Sequence, residues 1–149
     1  MGTDMKMMAR RFSDELWAQG GQAVVDDLFT NDFRNHSPGQ EAFGISPDKE
    51  GYKKLIGMFV TAFPDLSTRT EDVITEGDKV VLRWTGSGTH QADFAGIPAS
   101  GKRITLGGTT ILRIADGKIT EEWSYGDQLG LMVQLGAVQL PAQPVGAYR

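Results

Sequence analysis

The sequence predicts an α+β fold in which N-terminal helices cover one face of a curved, mostly antiparallel sheet. Three observations carry this expectation. Apolar residues recur at helical spacing as far as Phe63, four runs rich in Val, Ile and Thr then follow in series, and short turn pairs separate those runs. With 149 residues, 40% of them hydrophobic, the chain suits a single domain over 1–149 around one core, with 136–149 as an irregular tail.

Met5, Met8, Phe12 and Leu16 repeat at helical spacing up to Gly20-Gly21, which ends the first helix. A second helix runs from Gln22 to Phe29 and stops near Thr30-Asn31-Asp32. Phe33 to His36 then reads as extended, leading into Ser37-Pro38-Gly39. The third helix has the clearest start, with Ser46 as N-cap, Pro47 at the first helical position, and Asp48 and Glu50 in the first turn. Tyr52, Leu55, Ile56, Phe59 and Phe63 form its apolar stripe, and Pro64 stops it by disfavouring helical geometry at Phe63. The strands are Leu66 to Glu76, Lys79 to His90, Arg103 to Ala115 and Lys118 to Asp127. Gly77-Asp78 and Asp116-Gly117 serve as two-residue loops, and Gln91 to Gly101 as a longer connection. Gln128 to Leu135 reads as a short C-terminal helix.

Composition excludes several classes of function. There is no cysteine, hence no disulfide, thiolate nucleophile or Cys-based metal site. The net charge of −4 comes without a Lys/Arg stripe, which argues against nucleic acid as a partner. No signal segment and no apolar run of ~18 residues is found, so a soluble cytoplasmic protein without membrane contact is expected. The glycine pairs at Gly86-Ser87-Gly88 and Gly107-Gly108 fall inside strands, where they give room or bending rather than a phosphate loop. No Gly-x-Ser-x-Gly elbow occurs, and the two histidines lack metal-ligand spacing, so neither a serine nucleophile nor a metal site is expected.

The Asp116-Gly117 loop sets a register. With Ala115 opposite Lys118, uninterrupted pairing puts Thr110 opposite Trp123, Gly108 opposite Tyr125 and Leu106 opposite Asp127. Ile119, Glu121, Trp123, Tyr125 and Asp127 then share the inner face, with Glu122 and Ser124 outside. Asp127 ends that apolar row, where burial would raise its pKa, and Gly108 leaves space beside Tyr125. Asp127 also immediately precedes a helix, as an N-cap does. Glu121 is the anomaly of this register, and a β-bulge or an exposed end of the sheet would turn it out to solvent. His90 ends a second inward row of Val80, Leu82, Trp84, Gly86 and Gly88. A lone histidine of this kind is more often structural than catalytic, and so is His36 beside Asn35.

An ordered set of motifs resembles the SnoaL-like polyketide (ester) cyclases, of the nuclear-transport-factor-like α+β cone fold. The set is Ala62-Phe63-Pro64-Asp65, Gly77-Asp78-Lys79-Val80-Val81, Gly88-Thr89-His90 with Phe94-Ala95-Gly96-Ile97-Pro98, Arg113 to Ile119, and Asp127-Gln128-Leu129-Gly130 through Gly136. The resemblance covers most of the chain. It implies a cone-like barrel and cofactor-independent ring closure by intramolecular aldol condensation of an aromatic polyketide ester. By resemblance Asp127 is the acid/base and His90 orients it or the substrate. The implied substrate wall comprises His36, Asn35, Trp84, Thr110, Trp123, Tyr125, Phe59 and Phe63, around a small, flat, hydrophobic ligand. The family commonly pairs subunits through the sheet, implying a homodimer or higher oligomer. Thr110 departs from the pattern, since the characterised cyclases carry histidine there. The alternatives are an isomerase or epoxide hydrolase on the same fold, using Glu121 with Asp127, and a non-catalytic binding module.

Overall fold

The computed structural model describes residues 2–142. The elements are α1 (Gly2–Leu16), α2 (Gly21–Leu28), β1 (Phe29–Asn35), α3 (Pro38–Ala42), α4 (Lys49–Ala62), β2 (Ser67–Glu76), β3 (Lys79–Thr89), β4 (Arg103–Ala115), β5 (Lys118–Gly126) and α5 (Gln128–Gln134). The five strands form one open sheet in the order β1-β5-β4-β3-β2. β1 runs parallel to β5 and all other pairs are antiparallel. The α+β class and the mostly antiparallel sheet agree with the sequence, whereas the sheet does not close.

Both predicted hairpin loops form. Glu76 pairs with Lys79 across Gly77-Asp78, and Ala115 with Lys118 across Asp116-Gly117, where φ is 52° and 75° as a type I′ turn requires. Three local expectations are corrected. Thr30-Asn31-Asp32 does not end a helix but lies in β1, in the irregular stretch between its paired residues Phe29 and Arg34. Asp48, not Ser46, caps α4: its Oδ1 accepts from Gly51 N at 2.9 Å, and Ser46 Oγ donates to the same oxygen at 2.8 Å. Pro38-Gly39, expected as a turn, opens the short α3 with proline at its start. After α5 the chain is irregular as far as 142, and the rest of the expected tail lies outside the described residues.

The core has two parts. One joins Phe12 and Leu16 of α1, Val25 and Leu28 of α2, Tyr52 and Ile56 of α4, and Val80, Leu82, Leu112 and Ile119 of the sheet. The other gathers Ala62, Phe63, Phe94, Ile104, Leu106, Leu131 and Leu135 beneath α5. Among the described residues no helix is long and apolar enough to cross a membrane.

Candidate active site

Between the helices and the inner face of the sheet lies a cavity of about 270 Å³. Its wall is largely apolar, with Phe12, Trp17, Leu55, Phe59, Phe63, Leu82, Trp84 and Leu106. Polar groups come mainly from two places, Asn35, Ser37 and Gln40 from the end of β1 to α3, and Thr110, Glu122 and Ser124 on β4 and β5, with Ser13, Thr68 and Gln128 also in the wall. A mostly apolar cavity with a few converging polar groups is the usual form of a small-molecule site.

A single extra residue decides which side chains reach it. Ile114 pairs with Ile119 as the loop dictates, but Arg113 pairs with Glu121, so Thr120 is inserted as a bulge. From there every side chain of β5 changes face. Thr110 lies opposite Ser124, Ile111 opposite Trp123, and Gly108 opposite Gly126. Glu122 and Ser124, expected outside, face the cavity. Glu121 and Trp123, expected inside, face out.

Glu122 is 3% exposed. Tyr52 Oη donates to its Oε1 at 2.8 Å, and the Ser37 hydroxyl forms a second contact. Ser37 Oγ accepts from Ser124 N at 2.8 Å, which leaves its proton for the carboxylate. Burial pushes the Glu122 carboxyl up to about 8, against the two hydrogen bonds, which favour its charged form. Tyr52 in turn is raised well above the ordinary phenol value, first by burial and then by Glu122. A carboxyl group that exchanges its proton near neutrality, in a dry wall, suits acid/base work. Beside it, Trp84 Nε1 donates to Thr110 Oγ1 at 2.9 Å, and Thr110 Oγ1 lies 2.8 Å from Ser124 Oγ.

Of the residues expected to form the site, Asn35, Phe59, Phe63, Trp84 and Thr110 line the cavity, and Tyr125, 58% exposed, reaches it only from the rim. The structure does not bring the other four to it. Asp127 is exposed rather than buried, because β5 ends at Gly126; its Oδ1 caps α5 by accepting from Gly130 N at 2.9 Å. His90 is fully buried, held by Ser100, whose backbone N–H donates to Nδ1, and packed on Phe63 at 5.5 Å. His36 and Trp123 stack at 5.0 Å on the outer face, and His36 Nε2 meets Glu121 there at 2.8 Å. His36, followed by Arg113, holds the Glu121 carboxyl below its ordinary range. The space foreseen beside Gly108 is taken by protein, since a Cβ there would lie 2.4 Å from Trp84 Cζ2.

Sequence reasoning did not single out Ser37, Gln40, Tyr52, Glu122 or Ser124 as site residues. One signal was available. On a strand with one covered face, adjacent residues such as Glu121 and Glu122 point to opposite sides, and the misfit of Glu121 with the inner row pointed to a bulge.

Residues 7–135 match the family model described as SnoaL-like polyketide cyclase. Nogalonic acid methyl ester cyclase of Streptomyces nogalater is 28% identical over 114 residues, covering 75% of this chain and 83% of that protein. The galactofuranosyltransferase GlfT2 of Mycolicibacterium smegmatis is 30% identical over 99 residues, or 66% of this chain, but the match spans only 14% of that protein's length. Among solved structures, TsrD from Streptomyces laurentii superposes with a TM-score of 0.80 at 31% identity, covering 91% of this chain and 97% of TsrD. AclR from Streptomyces galilaeus gives 0.79 at 25% identity, covering 93% and 100%. A family model that spans most of the chain, and a fold shared over nine-tenths of it, agree: the chain belongs to the SnoaL-like polyketide cyclase family.

Proposed function

We propose that this protein closes a ring in a flat polyketide ester by an intramolecular aldol-type step, with Glu122 as the acid/base and no cofactor. The observation that carries this is the buried Glu122 carboxyl, raised to about 8, in the wall of an apolar cavity. At pH 7 about a tenth of it is carboxylate, from that value alone. That form takes the proton from the carbon next to the ester carbonyl. The enolate carbon attacks a ketone elsewhere in the same molecule, forming the C–C bond as the ketone's π bond becomes an alkoxide. Glu122 returns its proton to that alkoxide, so the group ends as it began. Such transfer contributes ~10²–10⁴-fold. Trp17, Trp84 and the phenylalanines suit a planar guest.

Asp127 takes no part in this scheme, although it holds the position that the family resemblance made the acid/base. The two assignments separate experimentally. With a polyketide methyl ester as substrate, Glu122→Gln should lose at least about a hundredfold in kcat and Asp127→Asn should stay near wild type. The opposite result returns the role to Asp127, and full activity in both removes acid/base catalysis by either. The alternative of an isomerase or epoxide hydrolase needs a second acid in the cavity, and Glu121 lies on the outer face with His36 and Arg113. A homodimer through that outer face is proposed with the rest, where Ile74 and Tyr125 are 63% and 58% exposed.

A further inference from the structure

Resting on the assignment of Glu122, one residue stands behind the site rather than in it. Tyr52 does not line the cavity, yet it is fully buried and is the largest side chain in the core. Its ring is held by four others: Phe12 at 6.4 Å, Trp17 at 5.8 Å, Phe29 at 4.9 Å and Phe33 at 5.6 Å. These come from α1, the α1–α2 connection and β1, so three parts of the chain fix the ring from different sides. The polar end of that ring has one donation to make, to Glu122 Oε1 at 2.8 Å, and it accepts a contact from the Trp17 indole. Trp17 itself lines the cavity.

We propose that Tyr52 is a positioning residue: clamped in its aromatic box, it holds Oε1 of Glu122 and so fixes the angle at which the carboxyl meets a ligand in the cavity. If the ring only filled the core, phenylalanine would serve as well and would leave no buried hydroxyl to pair. Two physical consequences follow from the geometry. The carboxyl is held at one angle, so the proton is taken and returned along one line into the cavity. A donated hydrogen bond also favours the charged form, so Tyr52 keeps more of the carboxyl ionised near neutrality, against the pull of burial. Trp17 joins the same chain to the cavity wall, so a ligand stacked on its indole touches the far end of the relay. Other charged groups do not compete, since the hydrogen-bonding partners at Glu122 are Tyr52 and Ser37 alone among the described residues.

The test is Tyr52→Phe, which keeps the ring and its box and removes only the hydroxyl. Two readouts are taken: the titration of Glu122 by carbon NMR of protein labelled at the glutamate carboxyl, and the pH dependence of kcat and KM with a polyketide methyl ester. Expected are a rise of about one pH unit in the Glu122 titration, the same shift in the limb where kcat climbs with pH, and an unchanged KM. Ser37→Ala, which removes the other donor, should move the titration the same way and guards against a Tyr52→Phe protein that fails to fold. An unmoved or lowered titration in the folded variants overturns the proposal. A titration that rises while wild type and the Glu122→Gln variant turn over equally leaves Tyr52 as the tuner of Glu122 and overturns the catalytic assignment instead.

Discussion

Replacing Glu122 by glutamine should make the protein more stable, and increasingly so as pH rises. The carboxyl is raised from 4.5 to about 8 by burial. The folded state therefore holds this proton more tightly than the unfolded chain does. Stability from this group is fully present below pH 4.5 and is lost as pH climbs through 8. Each unit of pH within that window costs about 1.36 kcal/mol, because the unfolded chain ionises freely while the folded protein must stay protonated. The loss reaches roughly 3 kcal/mol at pH 7 and about 5 kcal/mol above pH 8. A glutamine at this position cannot ionise and still accepts from Tyr52 through its carbonyl oxygen, so the variant escapes the loss. In a chain of this size about 3 kcal/mol corresponds to roughly 10 °C in Tm. Urea unfolding of both proteins between pH 5 and pH 9 measures the difference. The slope of that difference with pH is decisive, not its offset, since the extra amide N–H of glutamine adds a constant cost. Parallel curves across the whole range would show that Glu122 ionises without penalty, and the acid/base argument built on its burial would fall with it.

Asp127→Ala should cost about 1 kcal/mol by uncapping α5, whereas Asp127→Asn, itself a good cap, should unfold within a few tenths of wild type; chemical denaturation of the pair separates capping from charge. Gly108→Ala places a Cβ 2.4 Å from Trp84 Cζ2 and 2.8 Å from Tyr125 O. The indole must move, so a loss of ~1–3 kcal/mol and a shifted tryptophan emission are expected; wild-type stability and emission would show that the strands part easily there. Thr110→Val removes the acceptor of Trp84 Nε1 and should cost roughly 1–3 kcal/mol for the N–H left unpaired, read by the same two measurements.

How far the sequence could be read is seen best on β5. The loop at Asp116-Gly117, the ends of the hairpin and the first two pairs were legible, because turn chemistry is local and dictated by the need for positive φ at both positions. Apart from α3, the helices were legible for the same kind of reason: apolar spacing placed Tyr52, Leu55 and Ile56 on one buried face of α4. The bulge at Thr120 was not, because nothing in a run of strand-forming residues marks where one extra residue is inserted; that choice is made by what the two faces must bury. Either face could take an aromatic residue, and both positions 121 and 122 are glutamate. The difference is made by partners far away in the chain. Glu121 finds His36 and Arg113 on the outer face, whereas Glu122 finds Tyr52, seventy residues earlier, inside. Ionic partners near water favour a charged carboxylate, whereas burial in an apolar wall favours a neutral one, against the hydrogen bonds from Tyr52 and Ser37. One inserted residue thus decides which of two identical side chains becomes a surface ion pair and which is buried beside the cavity, and with it the proposed acid/base moves from Asp127 past the strand's end to Glu122 at its middle.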